Sequence, residues 1–496
     1  MKNTLIYNVE DKPKISQLLV FAFQQVLAVL AATIAVPCII GLPVNIPSAI
    51  LGAGLGTIVY LLFTKFKSPV VISSSFAFLG ALANALAFGY MGIALGALFA
   101  GLVYVAIALI VKAVGTKWIK YVLPPVIIGP VVAIIGLSLA GNAAGDMVKA
   151  SGDPVNGGYN WLGLLCGLIT FFTVVICSVQ NKSKGLKLIP FITGIAAGYV
   201  VASVFSAIGY AFDVNYLKII DWSPITSLFE NITVESFISV PKLSLVEGIK
   251  ELATGEIAPE ILEANPSAQP LTWFGVLEVA LAFIPVAFVV FAEHIADHTN
   301  LGTIINRNLL DGEPGLDRTL LGDGVGSIVG TFFGICPNTT YGESVGCVAI
   351  TKNASVRTIF TAAIMLIVLS FLSPITALLR TIPSCVMGGV CLTLYGFIAV
   401  SGLKMFKEVD LDKSKNLFTV SAILIAGIGG LSLQIPYMFE NGVPSANITI
   451  TSVATALFLG LATYGIASAV GGRSEREEKP AQDQVAENSQ EEAENK

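Results

Sequence analysis

Twelve runs of apolar sequence leave this chain few folds to choose from; they lie near 18–40, 46–63, 91–114, 121–140, 161–178, 188–211, 273–296, 319–335, 355–379, 385–402, 416–433 and 447–470. Runs of about 16 to 24 residues cross the ~30 Å hydrocarbon core of a bilayer as helices. Charged residues make up 12% of the chain and mean hydropathy is +0.80, whereas soluble domains carry about 25% charged residues. What remains cannot cover a water-facing surface for 496 residues. The 48 glycines suit membrane helices that approach one another closely. The first run is too long for the apolar stretch of a signal peptide. The chain reads as an all-α polytopic membrane protein.

Two further stretches, about 69–88 and 336–352, begin with extended-type sequence and only then become helix-friendly. The first opens Val70-Val71-Ile72-Ser73-Ser74-Ser75 and the second Cys336-Pro337-Asn338-Thr339-Thr340-Tyr341. Both read as broken spans, half strand and half helix. Counting them gives fourteen transmembrane segments and a clean charge asymmetry. One side receives Lys12, Lys14, Lys65, Lys67, Lys112, Lys117, Lys120, Lys182, Lys184, Lys187, Arg307, Arg318, Lys352, Arg357, Lys404, Lys407, Lys413, Lys415, Arg473 and Arg476. With twelve crossings the alternation fails at Lys65 and Lys352. The positive-inside rule therefore predicts fourteen spans with both termini cytoplasmic in a bacterial inner membrane.

The broken spans are third and tenth, seven apart. An odd-numbered repeat inverts one half against the other, the 7+7 plan in which substrate sits between interrupted helices. The expected divisions are 1–211 for the first repeat, 212–272 for a polar extracytoplasmic loop with short helices, and 273–470 for the second repeat. Residues 471–496 read as a disordered acidic cytoplasmic tail. Acid concentrated in the loop and tail leaves no basic face for nucleic acid. The seven cysteines are scattered without a CxxC pair and read as packing residues, neither disulfides nor metal ligands.

Ionisable groups inside a membrane are costly and default to functional hypotheses. The eighth span ends Ala292-Glu293-His294-Ile295-Ala296-Asp297-His298, holding the only two histidines. Glu293 and Asp297 are four apart and share a helix face. The competing reading puts Asp297 and His298 in water at the cytoplasmic end. Glu343 follows the extended Thr339-Thr340-Tyr341-Gly342 and sits where a helix N-terminus offers N–H groups; a plain capping role is its alternative. Asp323 reads as the N-cap of the ninth span. Carboxylates that accept N–H bonds, beside amides that donate to carbonyls, suit a flat ring with alternating N–H and C=O groups. A buried carboxylate also holds its proton more readily than one in water. These residues alone leave an inorganic anion or sodium open as the transported species.

Pro337 through Lys352, with Glu343, Ser344, Gly346 and Thr351, resembles the signature of the nucleobase–ascorbate transporter family, in its bacterial uracil permease group. Glu293-His294-Ile295-Ala296-Asp297 is similar to that family's eighth-span motif. Gln24-Gln25-Val26-Leu27-Ala28 resembles its first span, and Ser74-Ser75-Phe76-Ala77-Phe78 its third. The resemblance covers about 18–465. It implies a core domain of spans 1–4 and 8–11 and a gate domain of spans 5–7 and 12–14, one moving against the other. It further implies that Glu293 and Glu343 accept from ring N–H groups and that the amides of Phe76 and Gly342 donate to ring carbonyls. Tyr341 and Tyr395 would line the pocket, Asp297, Glu293 and Glu343 would carry the coupled proton, and Ser344, Gln25 and Thr351 would support them.

Three positions depart from the family pattern. Ser344 replaces the signature Asn, Gln25 the first-span His, and Asp297 stands where some uracil members have His. The expected activity is proton-coupled import of uracil by alternating access, with an oxopurine such as xanthine, or sodium coupling, as alternatives. No cofactor, metal or catalytic residue is expected, and a homodimer in the lipid bilayer is compatible with the plan. An anion exchanger or channel of the same fold would need a fixed cation at the broken-helix site, and Lys and Arg are expected to be absent from both candidate cavities. An intramembrane enzyme would need a nucleophile–base pair or an HExxH helix, which is absent.

Overall fold

A computed structural model describes residues 5–149, 159–180, 186–187, 189–440 and 443–470. Among them nine helices are long and apolar enough to cross a membrane. They are span 1 (Ile15–Ile39), span 2 (Pro43–Phe63), span 4 (Gly89–Val114), span 5 (Pro125–Met147), span 6 (Trp161–Val179), span 7 (Pro190–Ala211), span 8 (Trp273–Ile305), span 12 (Ser384–Lys407) and span 14 (Ser452–Val470). Spans 3 (Phe76–Leu86), 11 (Val356–Ser370) and 13 (Ser414–Ile428) are shorter apolar helices. Span 9 (Leu316–Phe333) and the helical half of span 10 (Gly342–Thr351) complete the fourteen. Span 9 is glycine-rich and carries Asp317, Arg318 and Asp323, so it reads as weakly apolar; packed between spans 2 and 4, it needs no lipid-facing apolar surface.

The two broken spans meet. Strand β1 (Ile72–Ser74) pairs antiparallel with β2 (Asn338–Thr340), with Ile72 opposite Thr340, Ser73 opposite Thr339 and Ser74 opposite Asn338. The amide of Ser75 extends the ladder to the Pro337 carbonyl at 2.9 Å. Extended backbone at bilayer depth has no water to bond with and survives only if its N–H and C=O groups find protein partners. Each interrupted span supplies the other's. All six strand residues are buried. Side chains finish the job: Thr57 Oγ1 donates to the Ile72 carbonyl at 3.1 Å and accepts from its amide at 3.1 Å. The Asn338 amide donates to Ser327 Oγ at 3.0 Å.

Packing sorts the spans into two groups. Spans 1–4 and 8–11 pack on one another, with span 9 against spans 2 and 4, and span 11 against spans 1 and 2. Span 12 packs on spans 5 and 6, span 13 on span 5, and span 6 on span 7; Gly460 brings span 14 against Ile423 of span 13. The groups touch where span 1 meets spans 7 and 12 and where span 8 meets span 5. In the first group Gly52 lies against Gly330 so closely that a Cβ on Gly52 would sit 2.2 Å from the Gly330 carbonyl oxygen. Asn338 Nδ2, which a Cβ on Gly330 would meet at 2.1 Å, donates to the Gly52 carbonyl at 2.9 Å, so the close approach also anchors β2.

Four expectations change. Span 8 runs to Ile305, so Asp297 and His298 are buried and not solvated at a helix end. The 355–379 run breaks after Ser370, and a separate helix (Ser373–Arg380) starts with Pro374 in its first turn. Spans 13 and 14 are joined by a hairpin of β3 (Leu433–Glu440) and β4 (Val443–Ile450), which overlaps the ends of both predicted spans. Asp323 is no N-cap: it lies seven residues inside span 9. The tail at 471–496 lies outside the described residues.

The polar segment after span 7 forms short helices, among them Ser223–Glu230, Ser244–Thr254 and Pro259–Ala264. It docks on the first group through backbone bridges between Phe237–Ser239 and Phe371–Ser373 and through Glu251. Glu251 is 5% exposed and accepts from the amides of Tyr90 (2.8 Å), Met91 (3.4 Å) and Ala258 (3.2 Å), closing the start of span 4. Burial pushes its carboxyl above the ordinary carboxylate range, while those backbone N–H groups pull the other way.

Two outcomes are expected. Gly52→Val should destabilise by about 1–3 kcal/mol, since a well-packed interface must shift to admit new methyls; thermal melting of the detergent-solubilised protein measures it. Folded Glu251 binds its proton more tightly than the unfolded chain, so its contribution is largest below the unfolded carboxyl pKa and falls as pH rises through the folded one. Glu251→Gln should flatten that part of the melting-temperature-versus-pH curve, whereas Glu251→Ala should cost ~1–3 kcal/mol by stranding buried amides.

Candidate substrate cavity

Where the strands end, both spans turn helical and leave N–H groups that no helical turn satisfies. On the span 10 side the helix begins at Gly342. On the span 3 side a short turn, Phe76–Phe78, leads into the helix Leu79–Leu86. Span 8 runs past this junction, with Glu293 and Asp297 one turn apart on the face toward it.

These pieces enclose a cavity of about 450 Å³ whose lining includes Ser75, Phe76, Glu293, Asp297, Thr339, Thr340, Tyr341, Gly342 and Glu343. Glu293 and Asp297 from span 8 and Glu343 from span 10 thus face one space. Gly342 is exposed to it, and a Cβ there would lie 3.7 Å from Asp297 Oδ1. Glu293 Oε2 is buried and has no hydrogen-bond partner among the described residues. Such an acceptor is costly to leave unmet, and in a cavity wall it points to a donor supplied by a ligand. Asp297 Oδ2 accepts from Thr340 Oγ1 at 2.9 Å, tying the span 8 carboxylate to strand β2.

Apart from Tyr341, the remaining anticipated residues stand outside the cavity wall. Tyr341 lines the cavity and donates to the Ser74 carbonyl at 2.9 Å, fastening span 10 to span 3. Tyr395 does not line it: its ring packs edge-on against Phe76, centroids 5.2 Å apart, and holds that residue from behind. Ser344 and Gln25 form one unit, with Ser344 Oγ donating to Gln25 Oε1 at 3.0 Å and accepting from the Val71 amide at 3.0 Å. Gln25 Nε2 also reaches the Ser344 carbonyl at 3.4 Å. The two departures from the family pattern are therefore partners, and together they join spans 1, 3 and 10. Thr351 donates to the Cys347 carbonyl at 2.7 Å near the far end of the span 10 helix and does not itself line the cavity.

Some participants escaped sequence reasoning. His294 faces away from the cavity: Nδ1 lies 2.7 Å from Asp323 Oδ2, and Nε2 3.0 Å from Thr319 Oγ1. The Thr319 hydroxyl donates to the Leu316 carbonyl at 3.2 Å, so it accepts from Nε2–H, and the Asp323–His294 contact holds the remaining proton. Thr339 Oγ1 also donates to Asp323 Oδ2 at 3.3 Å. Neighbouring threonines of β2 thus reach acids on two different spans. His298 Nδ1 donates to the His294 carbonyl at 2.9 Å, and Nε2 lies 2.7 Å from the Tyr60 hydroxyl. Lysines are a further correction. Lys187 and Lys404 line the cavity's other end, with Phe191, Phe397 and Ser401, because the space runs along span 12 well beyond the broken helices.

Comparison with known proteins identifies the family. Residues 16–434 match the model of the permease family that takes its label from xanthine and uracil permeases. The uracil permease of Bacillus caldolyticus is 35% identical over 441 residues, covering 88% of this chain and 91% of that protein. The uracil permease of Escherichia coli strain K12 is 32% identical over 444 residues, 89% and 91% of the two chains. Among solved structures, murine Slc26a9, an anion transporter in the inward-facing state, aligns with a TM-score of 0.58 at 12% identity over 93% of this chain and 69% of its own. That likeness concerns the fold alone. With fourteen spans, paired broken helices and relatives matched along nearly their whole length, the chain belongs to the nucleobase–ascorbate transporter family of permeases.

Proposed function

We propose that this permease imports uracil across a bacterial inner membrane by proton symport. The observation that carries the reading is the meeting of Glu293 and Glu343, from different spans, at a helix start where Gly342 exposes its backbone to the same cavity. The two carboxylates accept from ring N–H groups, with Glu293 Oε2 the acceptor left without a partner among the described residues. The amides of Gly342 and Phe76 donate to ring carbonyls, and the Phe76 ring, braced by Tyr395, covers a flat face. The names of the relatives support uracil over other bases.

Asp297 takes the coupled proton, with Glu293 and Glu343 beside it. Its bond to Thr340 links the proton site to the strand that positions Gly342. One proton moving down a membrane potential contributes ~2.3 kcal/mol per 100 mV, enough for roughly fiftyfold accumulation. The spans 1–4 and 8–11 group carries every acid of the site and rocks against the spans 5–7 and 12–14 group, exposing the cavity to each side in turn. Both termini are cytoplasmic, and the cavity's lysine-lined end faces the cytoplasm. Nucleobase, proton and lipid are the only partners this mechanism needs, with no cofactor.

Uptake of radiolabelled uracil into proteoliposomes under an imposed pH gradient tests the reading, with xanthine as competitor. Uptake should collapse with a protonophore, and Glu293→Gln and Glu343→Ala should each lower it at least tenfold, the loss of one charge-assisted hydrogen bond. Uptake that ignores the proton gradient and requires sodium would overturn the coupling. Xanthine uptake without uracil uptake would overturn the substrate.

A further inference from the structure

The cavity is larger than its acidic end requires. At about 450 Å³ it lies within the range of pockets for drug-sized ligands, about 300–1,000 Å³, and a single six-membered ring fills a fraction of it. Its two ends also differ in charge. Every carboxylate in the wall (Glu293, Asp297 and Glu343) comes from spans 8 and 10. Both cations, Lys187 and Lys404, come from the opposite side, just before span 7 and at the end of span 12.

Span 12 sets the distance between the ends. Tyr395 packs on Phe76, which fixes the level of the ring site. Phe397, Ser401 and Lys404 follow at spacings of four and three, so they form one stripe along the cavity wall. Nine residues of helix separate Tyr395 from Lys404, about 13 Å of rise. Helical side chains lean toward their own helix's N-terminus, so the Lys404 chain leans back toward the ring site. Phe191 and Phe397, in edge contact at 5.9 Å, lie between. The wall therefore offers, in order, ring acceptors, an apolar aromatic stretch, hydroxyl groups and ammonium groups.

We propose that this cavity binds a second class of ligand from the cytoplasmic side: a pyrimidine ribonucleotide, with its ring at the acidic end and its phosphate on Lys404 and Lys187. Ribose on N1 removes one ring N–H, so N3–H serves one carboxylate, both carbonyls remain for the amides, and a ribose hydroxyl donates to the other carboxylate. The sugar lies along the Phe191–Phe397 stretch and the phosphate meets two cations. Such a ligand spans both helix groups and wedges them apart, so it blocks the turnover that a free base permits. Because salvage of a pyrimidine base ends in its ribonucleotide, the permease would be inhibited by the product class its own cargo feeds. The inference rests on the uracil reading above.

The test is displacement of radiolabelled uracil from the purified full-length protein in detergent by uridine 5′-monophosphate, uridine and inorganic phosphate, for the wild type, Lys404→Ala and Lys404→Arg. Uracil's own affinity in each variant reports that the fold is intact, since Lys404 lies at the far end from the ring. The nucleotide should displace uracil at a concentration at least tenfold below that of uridine. Lys404→Ala should erase roughly that tenfold advantage, the size of one charge-assisted hydrogen bond, and Lys404→Arg should retain most of it. A nucleotide no better than uridine, an advantage untouched in Lys404→Ala, or inorganic phosphate as effective as the nucleotide would each overturn the proposal. A wild-type protein that binds no uracil at all would instead sink the substrate reading, and this inference with it.

Discussion

The pairing of β1 with β2 is the constraint on which the rest of the structure depends. Three residues on each side, deep among apolar helices, give up helical bonding and recover it across a ladder between spans that lie more than 250 residues apart in sequence. Neither half-helix has an acceptable backbone environment alone. Once the ladder forms, the two helix starts must face a common space, and Gly342, Glu343 and Phe76 are carried there with them. Much of the surrounding packing serves the ladder: Thr57 doubles a bond to Ile72, Asn338 ties to Gly52, and Tyr341 fastens one broken span to the other. The glycine contact between spans 2 and 9 is close because a side chain there would displace Asn338.

Much of this was legible in the sequence because the bilayer imposes rules the sequence must obey. Span length, the Lys and Arg asymmetry and the two stretches of β-branched and hydroxyl residues were enough to place fourteen segments and both breaks. The acids were conspicuous for the same reason, since a carboxylate at bilayer depth needs a justification. What could not be read was which neighbour each polar residue would meet. Asp323 in Leu-Gly-Asp-Gly has the local look of a cap, and only the arrival of His294 and Thr339 from two other spans shows why it lies mid-helix. The continuation of span 8 to Ile305 was hidden because the histidines and Asp297 end its apolar run, although all three are buried. The hairpin between spans 13 and 14 was missed because Leu433–Glu440 and Val443–Ile450 are apolar enough to pass for helix ends.

The pairing of Ser344 with Gln25 gives a physical account of two departures from the family pattern. A signature amide and a first-span imidazole are replaced by a shorter hydroxyl and a longer carboxamide that bond to each other. The hydroxyl still accepts from the Val71 amide, so the extended start of span 3 keeps a partner. A pair that couples this directly is expected to tolerate double replacement better than either single one. The distribution of charge follows the same division of labour. The acids and the ladder belong to one group of helices, while the lysines at the cavity's other end lie on the side of the other group. Under the alternating access proposed above, relative motion of the groups would change the distance between opposite charges as well as access to the site.

In the proposed mechanism the ladder delivers a ring-shaped ligand to the acids around it. A cryo-electron microscopy map of the full-length protein with saturating uracil addresses this most directly. β1 and β2 should still be paired, with planar density between Phe76 and Gly342 and in contact with Glu293 and Glu343. Uracil density elsewhere, or a site in which the strands have separated while the ligand remains bound, would contradict it.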